Sequence, residues 1–448
     1  MFHFRAHLVI VCLYRGVHHI DPGVGSHTKA LQAEPRNSSS WPRALILAAI
    51  QKATKGHMYI DLTPEQKALR ETLRSYFDEL MTPERRASVR GMEGGGSYRE
   101  TIRQIGKDGW LGIGWPKEVG GGGRTMIEQM IFLEEQRRSG APFPFVTVST
   151  VGPALMALGS EDQKTEYLPR ILAGECHFSI GYSEPGAGTD LASLSTRAEA
   201  VGDDYVINGT KMFTSGANDT DYIWLATRTD PEAPKHKGIT IFIVPSDSPG
   251  FSTSLIHTLG GSATAMSYYE NVRVPKENIV GGLNGGWKLI TTQLNHERIG
   301  LAAFGSACYS RTEKVIAWAR DTEFADGQKM IDIAWVQHNL AEVYARTEAM
   351  KLLNWRMASQ LEAGQLNPAD ASAVKVYGTE AVLEIYRLLQ EIVGPSALVS
   401  TGSPAAQING EIEMESRVAT INTFGGGVNE IQREIVSMAG LRMPRVPR

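Results

Sequence analysis

The feature that most constrains this chain is a change of hydrophobic period part-way along it. Between Phe178 and about Pro275 the pattern runs at period two, in Tyr205-Val206-Ile207-Asn208-Gly209, Tyr222-Ile223-Trp224-Leu225-Ala226-Thr227, Ile239-Thr240-Ile241-Phe242-Ile243-Val244 and Met266-Ser267-Tyr268-Tyr269, split by turn residues. On either side the period is helical. From Thr63 to about Glu175 it is broken by Gly94 to Gly96, by Gly120 to Gly123 and by Ala141-Pro142-Phe143-Pro144. From Trp287 onward long apolar stripes return, first Leu340, Val343, Tyr344 and Thr347, then Val374, Tyr377, Ala381, Ile385, Leu388 and Ile392. Helices, then strands, then helices make an α+β chain, and the last stripes suit an antiparallel bundle.

At 448 residues and 42% hydrophobic content, the chain can bury a large core and is too long for a single one, so two or three domains are expected. The net charge is only -4, with no long run of either sign, which argues against nucleic acid as a partner. Cys12, Cys176 and Cys308 are far apart and form no metal-ligand spacing, so neither a disulfide framework nor a metal site is expected, and a reducing cytoplasm fits best. Cys176 beside His177 is a poor nucleophile pair, because neighbours in an extended segment point to opposite faces.

Residues 1–57 carry seven Lys/Arg against two Asp/Glu without sustained periodicity, while the remaining body holds 38 against 47, a net charge of -9. Leu8-Val9-Ile10-Val11-Cys12-Leu13 is too short to span a bilayer and no small-residue cleavage signal follows, so no membrane span or targeting is expected. The first helix should open with Thr63 as N-cap and Pro64 at its first position.

Two segments within the period-two region stand out. Tyr182-Ser183-Glu184-Pro185-Gly186-Ala187-Gly188-Thr189-Asp190 and Asn208-Gly209-Thr210-Lys211-Met212-Phe213-Thr214-Ser215-Gly216-Ala217 put small residues and short hydroxyls where strands leave the sheet. Backbone N–H groups and Ser/Thr oxygens there can approach a flat polar ligand closely. Alone, a Gly-Ala-Gly turn is commonplace. Its company is not: Gly114-Trp115-Pro116-Lys117-Glu118-Val119-Gly120-Gly121 and Leu168-Pro169-Arg170-Ile171-Leu172-Ala173-Gly174-Glu175 precede it, and Phe424-Gly425-Gly426-Gly427-Val428-Asn429-Glu430-Ile431 follows.

In that order and spacing the segments resemble the acyl-CoA dehydrogenase family of flavoproteins, over residues 58–448. The resemblance implies that family's fold: an N-terminal helical domain at 58–177, a central β-domain at 178–285 and a C-terminal four-helix bundle at 286–448. Residues 1–57 then read as an extension, disordered or a mis-assigned start, because Met58-Tyr59-Ile60-Asp61-Leu62-Thr63-Pro64 resembles a family N-terminus. The implied reaction removes hydrogens from Cα and Cβ of an acyl-CoA thioester. It needs a base, a hydride acceptor and donors to the thioester oxygen. No side chain accepts a hydride, so FAD is the implied cofactor.

By the resemblance, Ser183 meets the pyrimidine edge of the flavin, Ser215 approaches N5 and Phe213 flanks the ring, where relatives often carry Thr, Thr and Trp. Thr189 falls near the substrate mouth. Many members carry the base as a Glu where this chain has Gly425, whose backbone N–H is left to serve the thioester oxygen. A second branch carries the base on the first bundle helix, here Trp287-Lys288-Leu289-Ile290-Thr291-Thr292-Gln293-Leu294-Asn295-His296-Glu297-Arg298. Glu297 lies on the stripe of Ile290, Leu294 and Leu301, where desolvation would raise its pKa toward the operating pH. It is the expected base, ahead of His296, with Asn295 and Arg298 as expected contacts to CoA.

Two family segments that complete the adenosine half of FAD across a subunit interface are altered. Arg320-Asp321-Thr322-Glu323-Phe324 has its arginine one residue early, and Gln390-Glu391-Ile392-Val393-Gly394-Pro395 lacks a double glycine. The departure, the closing Gly440-Leu441-Arg442-Met443-Pro444-Arg445-Val446-Pro447-Arg448 and Gly426-Gly427-Val428-Asn429-Glu430 resemble the base-bearing subunit of the actinobacterial branch that acts on steroid side-chain CoA esters as heterotetramers. The expected partners are an acyl-CoA substrate, an electron-transfer flavoprotein and the other subunits of a hetero- or homotetramer. Two alternatives stay open: a subunit that only completes its partner's site, and a flavin oxidase or monooxygenase on the same fold.

Overall fold

The computed structural model describes residues 61–92, 94–291, 293 and 305–444. Two units are distinguished, Met1–Ala68 and Leu69–Arg448. In the first, Thr63 caps the opening helix as expected: its Oγ1 accepts from the Gln66 amide at 3.2 Å, and its own amide donates to Gln66 Oε1 at 3.0 Å.

In the second unit the helical part of the chain comprises the remainder of α1 (Pro64–Leu80), then α2 (Pro83–Val89), α3 (Gly96–Lys107), α4 (Met126–Ser139), α5 (Gly152–Leu158) and α6 (Glu161–Leu172). Leu69, Leu73, Phe77 and Leu80 form the buried stripe of α1. Gly96, read above as part of a break, is the first residue of α3. Reciprocal Ser/Thr–Glu/Gln bonds start α4 at Thr125 and α6 at Ser160.

Before α5 the chain makes a π-helical turn, Val146–Val151, that hydropathy does not foretell. Trp115 donates to the Val148 carbonyl at 3.2 Å, and a Cβ on Gly152 would stand 2.1 Å from the Trp115 ring. Only glycine admits that approach. Thr147 Oγ1 accepts the Phe178 amide at 2.9 Å and so joins the π turn to the first strand.

The eight-stranded sheet contains β1 (Phe178–Gly181), β2 (Arg197–Val201), β3 (Asp204–Lys211), β4 (Tyr222–Arg228), β5 (Ile239–Pro245), β6 (Phe251–His257), β7 (Ala263–Pro275) and β8 (Ile279–Val280). Its order is β6-β7-β3-β2-β4-β5-β8, with β1 parallel to β4. Ile207, Ile223, Leu225, Phe242, Val244 and Tyr269 lie in its core. The anticipated strands are all present. The short β1 and β8, and the largely polar β2 and β6, are additions.

Helix resumes at residue 286. Then follow α7 (Ser306–Asp321), α8 (Ala334–Glu362), α9 (Pro368–Val393), α10 (Glu411–Ala419) and α11 (Asn429–Ile435). The two predicted stripes meet here, since Leu340 and Val343 of α8 share a core with Ile385, Leu388 and Ile392 of α9. Among the described residues, no helix is long and apolar enough to cross a membrane, and no group of side chains has metal-ligand geometry.

Candidate active site

The two notable segments meet. Ser183 follows the end of β1 and Met212 follows the end of β3. The Met212 amide donates to the Ser183 carbonyl at 2.8 Å, and two residues on the Thr214 amide donates to Ala265 of β7 at 2.9 Å. Between these two bonds Phe213 is held at φ 61°, and the residue is 57% exposed. A bulky side chain rarely adopts that conformation, so the flanking bonds impose it. Ser215 Oγ lies 3.0 Å from Thr264 Oγ1, and Thr214 Oγ1 lies 3.0 Å from Ser267 Oγ. Ser183, Phe213 and Ser215, expected to share a cofactor, are thus brought onto one joined pair of strand ends.

A buried ion pair fastens the pair from beneath. Lys211 Nζ donates to Glu184 Oε1 at 2.8 Å and to the Tyr182 carbonyl at 3.0 Å. Glu184 also accepts from the Thr196 amide at 2.9 Å and from both the amide and hydroxyl of Ser195 at 2.7 Å. Burial pushes the Glu184 carboxyl up, but Lys211 and the Thr196 bonds outweigh it and hold the group at about 2. Burial brings Lys211 down to about 8, against the pull of Glu184. Both groups are therefore charged at neutral pH. Sequence reasoning passed over this pair because Lys and Glu read as solvated by default.

A second link was also missed. Gln293, on the helix that opens the C-terminal part, accepts from the Tyr182 hydroxyl at 2.5 Å and from the Trp224 indole at 3.1 Å. Its Nε2 is buried with no partner among the described residues.

Thr189 is exposed in the turn that leads to the short helix Leu191–Ser193. Gly425 lies in a loop anchored by Lys375, whose ammonium donates to the Thr423 carbonyl at 3.1 Å and to Asn429 Oδ1 at 2.7 Å. The Gly425 N–H, expected to serve the thioester oxygen, donates at 2.7 Å to Ile421 O and is engaged within its own turn. Asn295, Glu297 and Arg298 lie outside the described residues. Arg320 lies in the last turn of α7, and Gly394, at φ 73°, follows α9.

Cys176 and His177 are both buried. Burial pushes the Cys176 thiol up to about 12, away from the thiolate a nucleophile needs. Burial and Arg99 hold the His177 imidazole below its ordinary value.

The joined strand ends fit a flat heteroaromatic cofactor. Phe213 offers an exposed aromatic side chain, and Ser183 and Ser215 offer hydroxyls on the same connected scaffold. A Cβ on Gly186 or Gly188 would meet nothing within 4 Å, so the turn beside them leaves room.

Three family models match in succession: Acyl-CoA dehydrogenase, N-terminal domain over residues 63–175, middle domain over 179–272 and C-terminal domain over 284–441. The chain belongs to the acyl-CoA dehydrogenase family of oxidoreductases. Acyl-CoA dehydrogenase FadE26 of Mycobacterium tuberculosis is 51% identical over 402 residues, covering 87% of this chain and 100% of its own. The solved Tcur3481-Tcur3483 steroid ACAD superposes with a TM-score of 0.83 at 53% identity, covering 87% of this chain and 100% of its own. The ChsE4-ChsE5 complex from Mycobacterium tuberculosis gives 0.82 at 51% identity, with the same coverages.

Proposed function

We propose that the chain is an FAD-dependent dehydrogenase of acyl-CoA thioesters, with Glu297 as the base that takes the α-proton. The observation that carries this reading is the Met212–Ser183 bond, which sets Phe213 and the hydroxyls of Ser183 and Ser215 on one scaffold. When bound, FAD supplies the acceptor for the β-hydrogen. Ser183 and Ser215 would hold its ring by hydrogen bonds, and Phe213 would flank it. Supporting the base, Ile290 and Gln293 are buried, and Glu297 follows them in the sequence by seven and four residues, the spacing that one helical face requires.

Thr189, Asn295 and Arg298 are proposed to hold the CoA portion, with Gly425 opposite the thioester. Because the Gly425 N–H is engaged by Ile421, it serves the thioester oxygen only after that turn opens. Its lack of a side chain leaves the base to the bundle helix. The proposed domains are 58–177, 178–285 and 286–448, with the enzyme in the cytoplasm.

The substrate class follows from the relatives, which include a protein described as a steroid ACAD. The proposed substrate is a steroid side-chain CoA ester, and an electron-transfer flavoprotein takes the electrons onward. The relatives that are two-protein complexes, with the altered Arg320-to-Phe324 and Gln390-to-Gly394 segments, support a heterotetramer whose unlike subunit completes the adenosine end of the FAD site.

The test measures bound FAD per chain for the protein expressed alone and with its genomic neighbour, then screens acyl-CoA thioesters, steroid esters included, for bleaching of the flavin absorbance. Bleaching by steroid thioesters in the co-expressed pair is expected. A full flavin complement in the lone chain removes the obligate partner, and rapid peroxide release after bleaching replaces the dehydrogenase with an oxidase.

A further inference from the structure

One buried polar cluster joins the cradle to the first bundle helix. Tyr182 immediately precedes Ser183, Trp224 lies in β4 opposite Ile180 of β1, and Gln293 lies four residues before Glu297 in the sequence. Gln293 is only 1% exposed. Its Oε1 accepts from Tyr182 at 2.5 Å and from Trp224 Nε1 at 3.1 Å, and the same indole N–H reaches the Tyr182 hydroxyl at 3.1 Å.

An indole nitrogen only donates, so the oxygen end of the amide must face it. That fixes Nε2 on the far side, where it has no acceptor among the described residues. Burying a primary amide carries a desolvation cost that Met in the same volume would not. A glutamine here opposes its own burial. What it gains is a fixed connection between the strand end that delivers Ser183 and the first bundle helix.

We propose that Gln293 is a positioning residue of the dehydrogenation: by clamping Tyr182 and Trp224 it sets the first bundle helix against the cofactor cradle. The proposal rests on the reading of the cradle and of Glu297 given above. It acts through geometry, where a displacement of about 1 Å can cost on the order of 100-fold in rate.

The test uses Gln293→Met and Tyr182→Phe, singly and together, in the FAD-loaded complex. Each single variant is expected to slow flavin bleaching by acyl-CoA about 10- to 100-fold with KM little changed, and the double variant to be no slower than the slower single. The visible circular dichroism of the bound, oxidised FAD should change alike in all three. Wild-type bleaching with only a lowered melting temperature would make the cluster simple packing and overturn the proposal, as would losses that multiply in the double variant or an unaltered dichroism band. If Gln293→Met fails to retain FAD, Tyr182→Phe decides alone, since it removes one oxygen and little volume. Wild-type enzyme that no acyl-CoA thioester bleaches overturns the underlying reading and the positioning role with it.

Discussion

Lys211 and Glu184 form a salt bridge of 2.8 Å, with 0% and 5% of their side chains exposed, directly beneath the strand ends that bear Phe213 and Ser183. Removing one partner leaves a buried charge, which typically costs about 3–5 kcal/mol. Lys211→Met leaves Glu184 three donors, from Ser195 and Thr196, so the loss should fall at the lower end of that range. Denaturant unfolding reads the loss directly, and bound FAD per chain should fall with it.

The same pair gives an acid dependence. The Glu184 carboxyl lies at about 2 in the fold against an ordinary value of 4.5, so its contribution is full above about 4.5 and is lost as pH falls toward about 2. The shift corresponds to roughly 3 kcal/mol. Unfolding free energies measured from pH 7 downward should show a steeper acid loss in wild type than in Glu184→Gln.

Phe213 combines φ 61° with an exposed ring, so it adds strain while burying little. Phe213→Gly should stabilise the FAD-free protein by about 1 kcal/mol, because glycine adopts that conformation freely. The same change should weaken FAD retention. Melting temperature and flavin content therefore move in opposite directions, and a parallel fall in both would show that the ring serves the fold alone.

Lys375 holds the Gly425 loop through Thr423 and Asn429. Lys375→Met should loosen that loop and raise KM for acyl-CoA roughly tenfold while FAD content stays near wild type, the cost of about one charged hydrogen bond. Steady-state kinetics beside an absorbance spectrum checks both.

Much of the architecture was legible because it depends on local periodicity. The cap at Thr63, the strands through Ile207, Trp224 and Phe242, and the stripes of Leu340 and Ile385 all follow from spacing. The cradle could be located for the same reason, since glycines and hydroxyls cluster where β1 and β3 end. What holds it together could not be read. The Tyr182–Gln293 bond spans 111 residues and the Trp224–Gln293 bond 69, and nothing in either segment announces its partner. Lys211 and Glu184 bury charges that residue type alone assigns to solvent. The turn at Gly425 spends on Ile421 an N–H that motif position assigned to substrate, because chain order carries no hydrogen-bond geometry.

The chemistry turns on where the base resides. The most direct measurement is rapid-mixing absorbance of Glu297→Gln with an acyl-CoA thioester that bleaches the wild-type complex. With Glu297 as the base, the variant should show a normal oxidised flavin spectrum and bleaching slowed to near nothing, with ligand binding still visible as a spectral shift. Bleaching at close to the wild-type rate would contradict that role and return the proton abstraction to another residue.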